Sequence, residues 1–423
     1  MPNDKRNSAR ALALRALARW RGGSDFADRV AEQLFADRNL RPADRSFALE
    51  LFYGLLRNLT LLDFWIAQLR REPVDPVARD ILRLGLYQIM LLDTAAHAAV
   101  FETVDLAPRR ARRLVNALLR RAVREKSALT SAAESQPPHI RFSEPEFLVA
   151  KWTRQFGERL AFELCRWNQR PASVYARINR LQISLEQFFE RYPQSRPVSE
   201  RENFVTLADA ASAAQNGDCY LQDPSTAIAC ELLRPQPGET VLDACAAPGG
   251  KTAYLAEMMS NTGTLIAVDR DEGRLARLRD NLVRLKVHNA SPMLCDWTEA
   301  NSVRAANFKK NSCDKILVDA PCSNTGTMRR RVDVRWRLRP EDFSRMPSRQ
   351  LAILRAVAAL LKTGGSLVYS TCSLEPEENE AVVTAFIREH PDFCLTTEIR
   401  SLPFRDGFDG AYAARLQRSG AME

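Results

Sequence analysis

The sequence has no apolar run approaching the roughly 18 residues that a membrane-spanning helix needs, so no bilayer crossing is expected. The opening stretch MPNDKRNSAR is charged with no apolar segment behind it, so no secretory leader is expected. Nine cysteines include no CxxC pair, which argues against a zinc ribbon or a thioredoxin-like site. The four histidines, His97, His139, His288 and His390, are too dispersed for a metal cluster, and no metal is expected. Scattered thiols in odd number fit a reducing, cytoplasmic setting. A GxGxxG dinucleotide loop is missing, and internal repeats are absent.

What is present is an ordinary globular composition, 45% hydrophobic and 27% charged, over 423 residues, enough for two or three domains. The formal net charge of +9 favours a polyanionic partner, nucleic acid first. Residues 1–130 read as all helix, with apolar periodicity through Ser8–Trp20, Asp44–Leu69, Pro76–Leu92 and Phe101–Val123. The last of these is dense in cations: Arg109, Arg110, Arg112, Arg113, Arg120, Arg121, Arg124 and Lys126. So many like charges repel one another and are relieved beside phosphates. Residues 127–145, rich in Ser, Ala and Pro, read as a linker. Residues 146–215 read as a small α/β segment, with a helix over Phe147–Trp167, a strand over Ser173–Arg180 and a helix over Ser184–Arg191. From 216 to 423 strands and helices alternate, which predicts a doubly wound, mostly parallel sheet. Its strands are expected at Thr240–Asp243, Gly263–Asp269, Lys315–Asp319 and Ser366–Thr371, with helices at Glu272–Leu285 and about Phe343–Leu361.

The sharpest segment runs from Val241 to Thr252, VLDACAAPGGKT: a strand, a turn of small residues, then a helix start. Ala246, Ala247, Gly249 and Gly250 let a ligand approach the backbone, and the amides of the following helix can meet a polar group. Gly250-Lys251-Thr252 resembles the end of a P-loop, but Cys245 stands where that motif needs its first glycine. S-adenosylmethionine fits a looser turn of this kind, with Asp243 as the acid ahead of it. Nineteen residues after Gly250, the next strand ends in Asp269, a spacing suited to a carboxylate that accepts both ribose hydroxyls. Asp296 follows a third strand and is expected near the adenine amino group.

Two further strands each end in a cysteine, Cys322 after Asp319-Ala-Pro and Cys372 after Ser370-Thr. In an open parallel sheet the carboxyl ends of the strands form the ligand crevice, so both thiols are expected to face it. A reactive thiol needs a polar, partly exposed position; the other cysteines read as small hydrophobes. Spacing does not decide which of the two attacks.

The segments LDACAAPGGKT, AVDRDEGRL, LVDAPCSNTGTMRR, VRWRL, LKTGGSLVYSTCSLEPEENE and DGFDGAYAARL closely resemble bacterial 16S ribosomal RNA cytosine-C5 methyltransferases of the RsmB (Fmu/Sun) type, within the NOL1/NOP2/Sun family. The N-terminal motifs around Gly54-Leu-Leu-Arg57, Gly85-Leu-Tyr-Gln88, His97–Val104 and Val115–Arg120 resemble a NusB-like helical RNA-binding fold. This implies a multidomain chain: an all-α NusB-like domain (1–130), a small α/β RNA-binding subdomain (146–215) and a Rossmann-like methyltransferase domain (216–423). It also implies Cys372 as the nucleophile that adds to C6 of cytosine, making C5 reactive, with Cys322 assisting release as a base. Asp319 would hydrogen-bond the cytosine near the methyl donor. Cys245, Ala246, Ala247, Pro248, Gly249, Gly250 and Lys251 would line the S-adenosylmethionine site, with Asp269 on ribose and Asp296 near adenine. Arg329 and Arg330 would hold RNA phosphate, and Gln222-Asp223 resembles an element that precedes the first sheet strand. The chain departs from the resemblance at Trp297, bulky beside Asp296, and at Pro224 after Asp223. A monomer acting on 16S rRNA or its assembly intermediate is expected. The alternatives are transfer RNA or 23S rRNA as substrate, or an RNA-binding scaffold without catalysis; the intact cysteines and aspartates argue against the scaffold.

Overall fold

A computed structural model describes residues 8–35, 40–92, 94–199, 201–207 and 210–419. The first seven residues, on which the expectation of no leader largely rests, lie outside them. The chain divides into two units, one of Met1–Pro171 with Met328–Arg337, the other of Ala172–Thr327 with Leu338–Glu423. This division differs from the expected boundaries at 130, 146 and 215.

The first unit is helical. Ser8 caps its first helix, Ala9–Gly22, by accepting from the Ala11 amide. Of the expected helices, Ser8–Trp20 and Pro76–Leu92 are continuous, as Ala9–Gly22 and Pro76–Met90, and the other two are interrupted. Pro42–Arg57 and Leu59–Leu69 part at Asn58, and Ala96–Leu106 is separated from Arg112–Arg124 by a turn through Pro108. The stretch read as a linker instead forms helices Lys126–Glu134 and Pro138–Arg141, with Leu129 and Ala133 buried. Its apolar positions are few but correctly spaced for one face, and a Ser/Ala-rich composition hid them. Helices Glu146–Phe156 and Glu158–Gln169 break at Gly157 and also belong here. Gly54 is required by close approach: a Cβ there would meet the Tyr87 ring at 2.0 Å. The Tyr87 hydroxyl donates to Glu50 at 2.6 Å.

The segment Met328–Arg337, distant in sequence, completes this unit. Val332 joins its core, the Trp20 indole donates to Asp333 at 3.0 Å, and Trp336 donates to the Leu56 carbonyl at 2.7 Å. Arg335 pairs with Glu144 at 3.1 Å, both side chains fully buried.

The second unit holds two sheets. Strands β1 (Tyr175–Ile178), β2 (Arg196–Val198), β3 (Arg201–Thr206) and β4 (Cys219–Leu221) make an antiparallel sheet in the order β2-β3-β1-β4. The larger sheet has β5 (Thr240–Asp243), β6 (Thr264–Asp269), β7 (Ala290–Leu294), β8 (Cys313–Asp319), β9 (Leu361–Thr371), β10 (Phe393–Ser401) and β11 (Ala411–Arg418). Its order is β10-β11-β9-β8-β5-β6-β7, parallel from β9 through β7, with β10 and β11 antiparallel. The order reverses between β5 and β8, which is where an open α/β sheet opens a crevice. Helices Gly250–Met258, Glu272–Arg284 and Asp342–Ala358 cover its faces with Leu255, Leu275, Leu278 and Leu354. Among the described residues no helix is long and apolar enough to cross a membrane.

Candidate active site

The residues expected to matter sit at the carboxyl ends of β5, β6, β8 and β9. After β5 the chain turns through Ala244–Gly249, and Ala246 N donates to Val268 O at 2.8 Å. Gly249 has φ 106°, and a Cβ there would meet Leu278 at 2.6 Å, so the turn demands glycine. Asp243 is buried and accepts from the Thr252 hydroxyl at 2.7 Å. Burial pushes its carboxyl up to about 7, with Thr252 only partly offsetting the effect.

Asp269, at the end of β6, accepts from Ala247 N at 3.2 Å and from Asp271 N at 3.1 Å, with Arg274 at 3.4 Å. Asp296 is half-buried and accepts from the Thr298 amide and hydroxyl at 2.9 and 2.6 Å. Its neighbour Trp297 turns into the core. The indole stacks on Phe308 and donates to Ala244 O at 2.7 Å, beneath the loop that follows β5.

Lys251 donates to Asp319 at 2.6 Å across the gap between β5 and β8, and the Ser370 hydroxyl donates to the other Asp319 oxygen at 2.8 Å. Burial works to lower the Lys251 ammonium, but the Asp319 charge and hydrogen bond outweigh it and the net shift is upward. Beside this pair the Cys322 and Cys372 sulfurs lie 3.2 Å apart. Cys372 is half-buried and donates to the Asn324 side-chain oxygen at 3.2 Å; Cys322 is buried. The Cys322 thiol is raised well above the ordinary thiol range, first by its hydrogen bond with Cys372 and then by burial. Burial also raises Cys165, Cys219, Cys230 and Cys313, which marks them as inert thiols.

Comparison with known proteins gives the family. The model of the 16S rRNA methyltransferase RsmB/F family matches residues 230–417, and that of the NusB family matches residues 7–124. The Bacillus subtilis protein named probable ribosomal RNA small subunit methyltransferase B is 33% identical over 98% of this chain and 100% of its own length. The chain belongs to the RsmB/F methyltransferase family. The Pectobacterium atrosepticum ribosomal RNA small subunit methyltransferase B is 34% identical, over 90% of this chain and 92% of that one. A crystal structure of a methyltransferase homolog protein from Pyrococcus horikoshii superposes with a TM-score of 0.58 at 29% identity, over 66% of this chain and 97% of that one.

Within this methyltransferase frame two arginines part company. Arg330 is half-exposed, whereas Arg329 is 4% exposed, with its guanidinium 4.0 Å from the centre of the Trp167 ring. The Arg329 guanidinium thus lies against an aromatic ring, and the proline that follows Asp223 has a local explanation. Asp223 caps the short helix Pro224–Ala227 by accepting from Ser225 N at 3.0 Å, and proline suits the first position after a cap.

Residues that sequence reasoning did not single out are Asn324, Ser323, Ser373, Gln350 and Glu378. For four of them the signal was adjacency to the cysteines or membership of the acidic run after β9; Gln350, on helix Asp342–Ala358, had none. Among the described residues no group of three His, Cys, Asp or Glu side chains is placed to hold a metal ion.

Proposed function

We propose that this chain transfers a methyl group from S-adenosylmethionine to C5 of a cytidine in 16S ribosomal RNA, through a covalent bond between Cys372 and C6. The observation that carries this reading is the 3.2 Å approach of two thiols at the ends of adjacent parallel strands, beside the Lys251–Asp319 pair. The names of the curated relatives favour small-subunit rRNA as the substrate.

The turn from Cys245 to Lys251 fits the methyl donor. Its side chains at Ala246 and Ala247 are small, Gly249 turns the backbone with φ 106°, and Asp269 Oδ1 keeps a lone pair beyond the Asp271 amide it accepts. S-adenosylmethionine bound there supplies an electrophilic methyl group, with Asp269 placed for ribose and Asp296 for adenine. Cys372, having given its proton to solvent, attacks C6 as the thiolate; the electron pair pushed onto the ring, which Lys251 on Asp319 would offset, makes C5 the nucleophile that would take the methyl group from the bound donor. Cys322 keeps its proton while it is hydrogen-bonded to the Cys372 sulfur. Once that sulfur is bonded to carbon, the largest influence holding the Cys322 proton is gone; Cys322 then releases that proton to solvent and, as the thiolate, takes the C5 proton. Elimination then breaks the S–C6 bond and returns Cys372. Arg330 and the exposed arginines Arg109, Arg110, Arg113 and Arg120 supply phosphate contacts.

Bisulfite sequencing of 16S rRNA from a strain lacking the gene tests this. One cytidine should lose its protection and regain it with the wild-type gene but not with Cys372→Ala. Protection restored by Cys372→Ala would overturn the assignment. Cys322→Ala should accumulate an RNA–protein adduct on a denaturing gel; accumulation by Cys372→Ala instead would reverse the two roles.

A further inference from the structure

Each catalytic cysteine is followed by a serine, Ser323 after Cys322 and Ser373 after Cys372, and one buried carboxylate grips both. Glu378 is fully buried. One of its oxygens accepts from the Ser323 amide at 2.9 Å and from the Gln350 side chain at 2.9 Å. The other accepts from the Ser373 hydroxyl at 2.7 Å and from the Ser323 hydroxyl. The two hydroxyls are themselves 3.0 Å apart. Gln350, on helix Asp342–Ala358, also donates to the Pro321 carbonyl at 3.1 Å, so the turn before Cys322 is held from both sides.

Glu378 is itself fixed. The Tyr369 hydroxyl donates to its carbonyl at 2.5 Å, and Asn379 donates to the Ser373 carbonyl at 3.0 Å while accepting from Thr371. All four donors to the carboxylate are neutral groups, and two of them belong to the residue that follows Cys322. Such an arrangement sets geometry, because a carboxylate with four lone-pair sites can bind several donors in fixed directions at once. The sulfurs have no covalent tie to each other, so their separation depends on where the two turns are pinned.

We propose that Glu378 is a positioning residue that sets the separation of the Cys322 and Cys372 sulfurs by clasping the residue after each. The inference rests on the reading of these thiols as the reacting pair, but the separation can be measured without turnover. Diamide oxidises two neighbouring thiols to a disulfide and takes up their two protons and two electrons as the hydrazine, so the rate of Cys322–Cys372 cross-linking reports proximity. Peptide mapping identifies that link among the other cysteines.

In the full-length protein, Glu378→Ala should cross-link 322 to 372 about tenfold more slowly and lose about 100-fold in single-turnover methyl transfer to 16S rRNA, since small misplacements of reacting groups are that costly. Binding of S-adenosylhomocysteine should stay within about threefold, because Glu378 contacts none of the residues assigned to that site. Glu378→Gln keeps the shape and one acceptor oxygen, and should restore most of both rates. If Glu378→Ala does not bind S-adenosylhomocysteine and so has not folded, the Ser323→Ala/Ser373→Ala double variant decides, with slowed cross-linking again expected. Cross-linking at the wild-type rate in the folded variant overturns the proposal. Wild-type protein that cross-links quickly but methylates no RNA would instead count against the reaction assigned to the thiols and leave the clasp standing.

Discussion

Glu144 in the helical unit and Glu378 in the α/β unit are both buried carboxylates that fasten distant stretches of chain, and they are satisfied by opposite means. Glu144 meets the charge of Arg335 at 3.1 Å and an amide from Asn168 at 3.1 Å. Burial pushes its carboxyl up, and those two partners only partly offset that. The two Nη groups of Arg335 also donate to the carbonyls of Phe142, Ser143, Asn168 and Met328, so one cation ties the 328–337 segment to the helices. Glu378 meets neutral donors that come from both cysteine turns. An ion pair anchors one point strongly. A fan of neutral donors fixes the relative placement of several points. The first arrangement governs whether a unit holds together, and the second governs whether two sulfurs meet.

The largest effects should separate along that line. Cys372→Ala removes from the α/β cluster the sulfur we propose to react. It should lower single-turnover methyl transfer by about 10⁴-fold, with thermal stability and S-adenosylhomocysteine binding unchanged. Arg335→Ala breaks the helical cluster and leaves Glu144 buried without its cation. It should cost roughly 3–5 kcal/mol of stability, read by urea unfolding, while Arg335→Met with Glu144→Leu should recover most of it. If the double replacement is as unstable as Arg335→Ala, the pair is more than an anchor. If Cys372→Ala unfolds the α/β unit, the cysteine turns carry stability as well as chemistry.

A third carboxylate tests what burial costs with a hydroxyl as the main help. Asp243 has the Thr252 hydroxyl, and its carboxyl is raised from 3.8 to about 7. With the folded value above the unfolded one, its contribution is fully present below about pH 4 and is lost as pH rises through about 7. Asp243→Asn removes the titration. The stability of the variant relative to wild type should therefore rise between pH 4 and pH 8, by at most roughly 4 kcal/mol. A flat difference across that window would mean that the carboxyl is better compensated than its surroundings indicate.

The same contrast explains what could be read in advance. Largely buried central strands such as β5 and β8 read directly, as Thr240–Asp243 and as Lys315–Asp319 within the observed Cys313–Asp319, because packing decides them. The two thiols were legible because each stands at a strand end in a parallel sheet. Strand β10 was not predicted: seven of its nine residues are exposed, so its sequence has no apolar period to find. The clasp at Glu378 was also invisible, since its contacts join residues 323, 350, 373 and 378 through tertiary folding alone. The surroundings of Arg329 were hidden for the same reason. The resemblance implies phosphate for the basic pair Arg329–Arg330, and only tertiary folding brings Trp167 against the first of the two.

The smallest predicted effect isolates one neutral hydrogen bond. Trp297 sits where the resemblance led one to expect a smaller residue, yet its indole N–H satisfies the carbonyl of Ala244, whose own amide donates to Leu317 O at 2.9 Å. The ring therefore holds the start of the cofactor turn from below. Trp297→Phe keeps a stacking partner for Phe308 and leaves the Ala244 carbonyl unpaired, which should cost about 1–3 kcal/mol. A turn held less firmly should also bind S-adenosylhomocysteine about threefold more weakly, as expected when a binding loop must be ordered on association. A loss as large as that of Arg335→Ala would erase the distinction drawn here between ionic anchors and neutral positioning bonds. A loss of stability with unchanged affinity would show that the bond supports the core beneath the turn and leaves the turn itself to its own backbone.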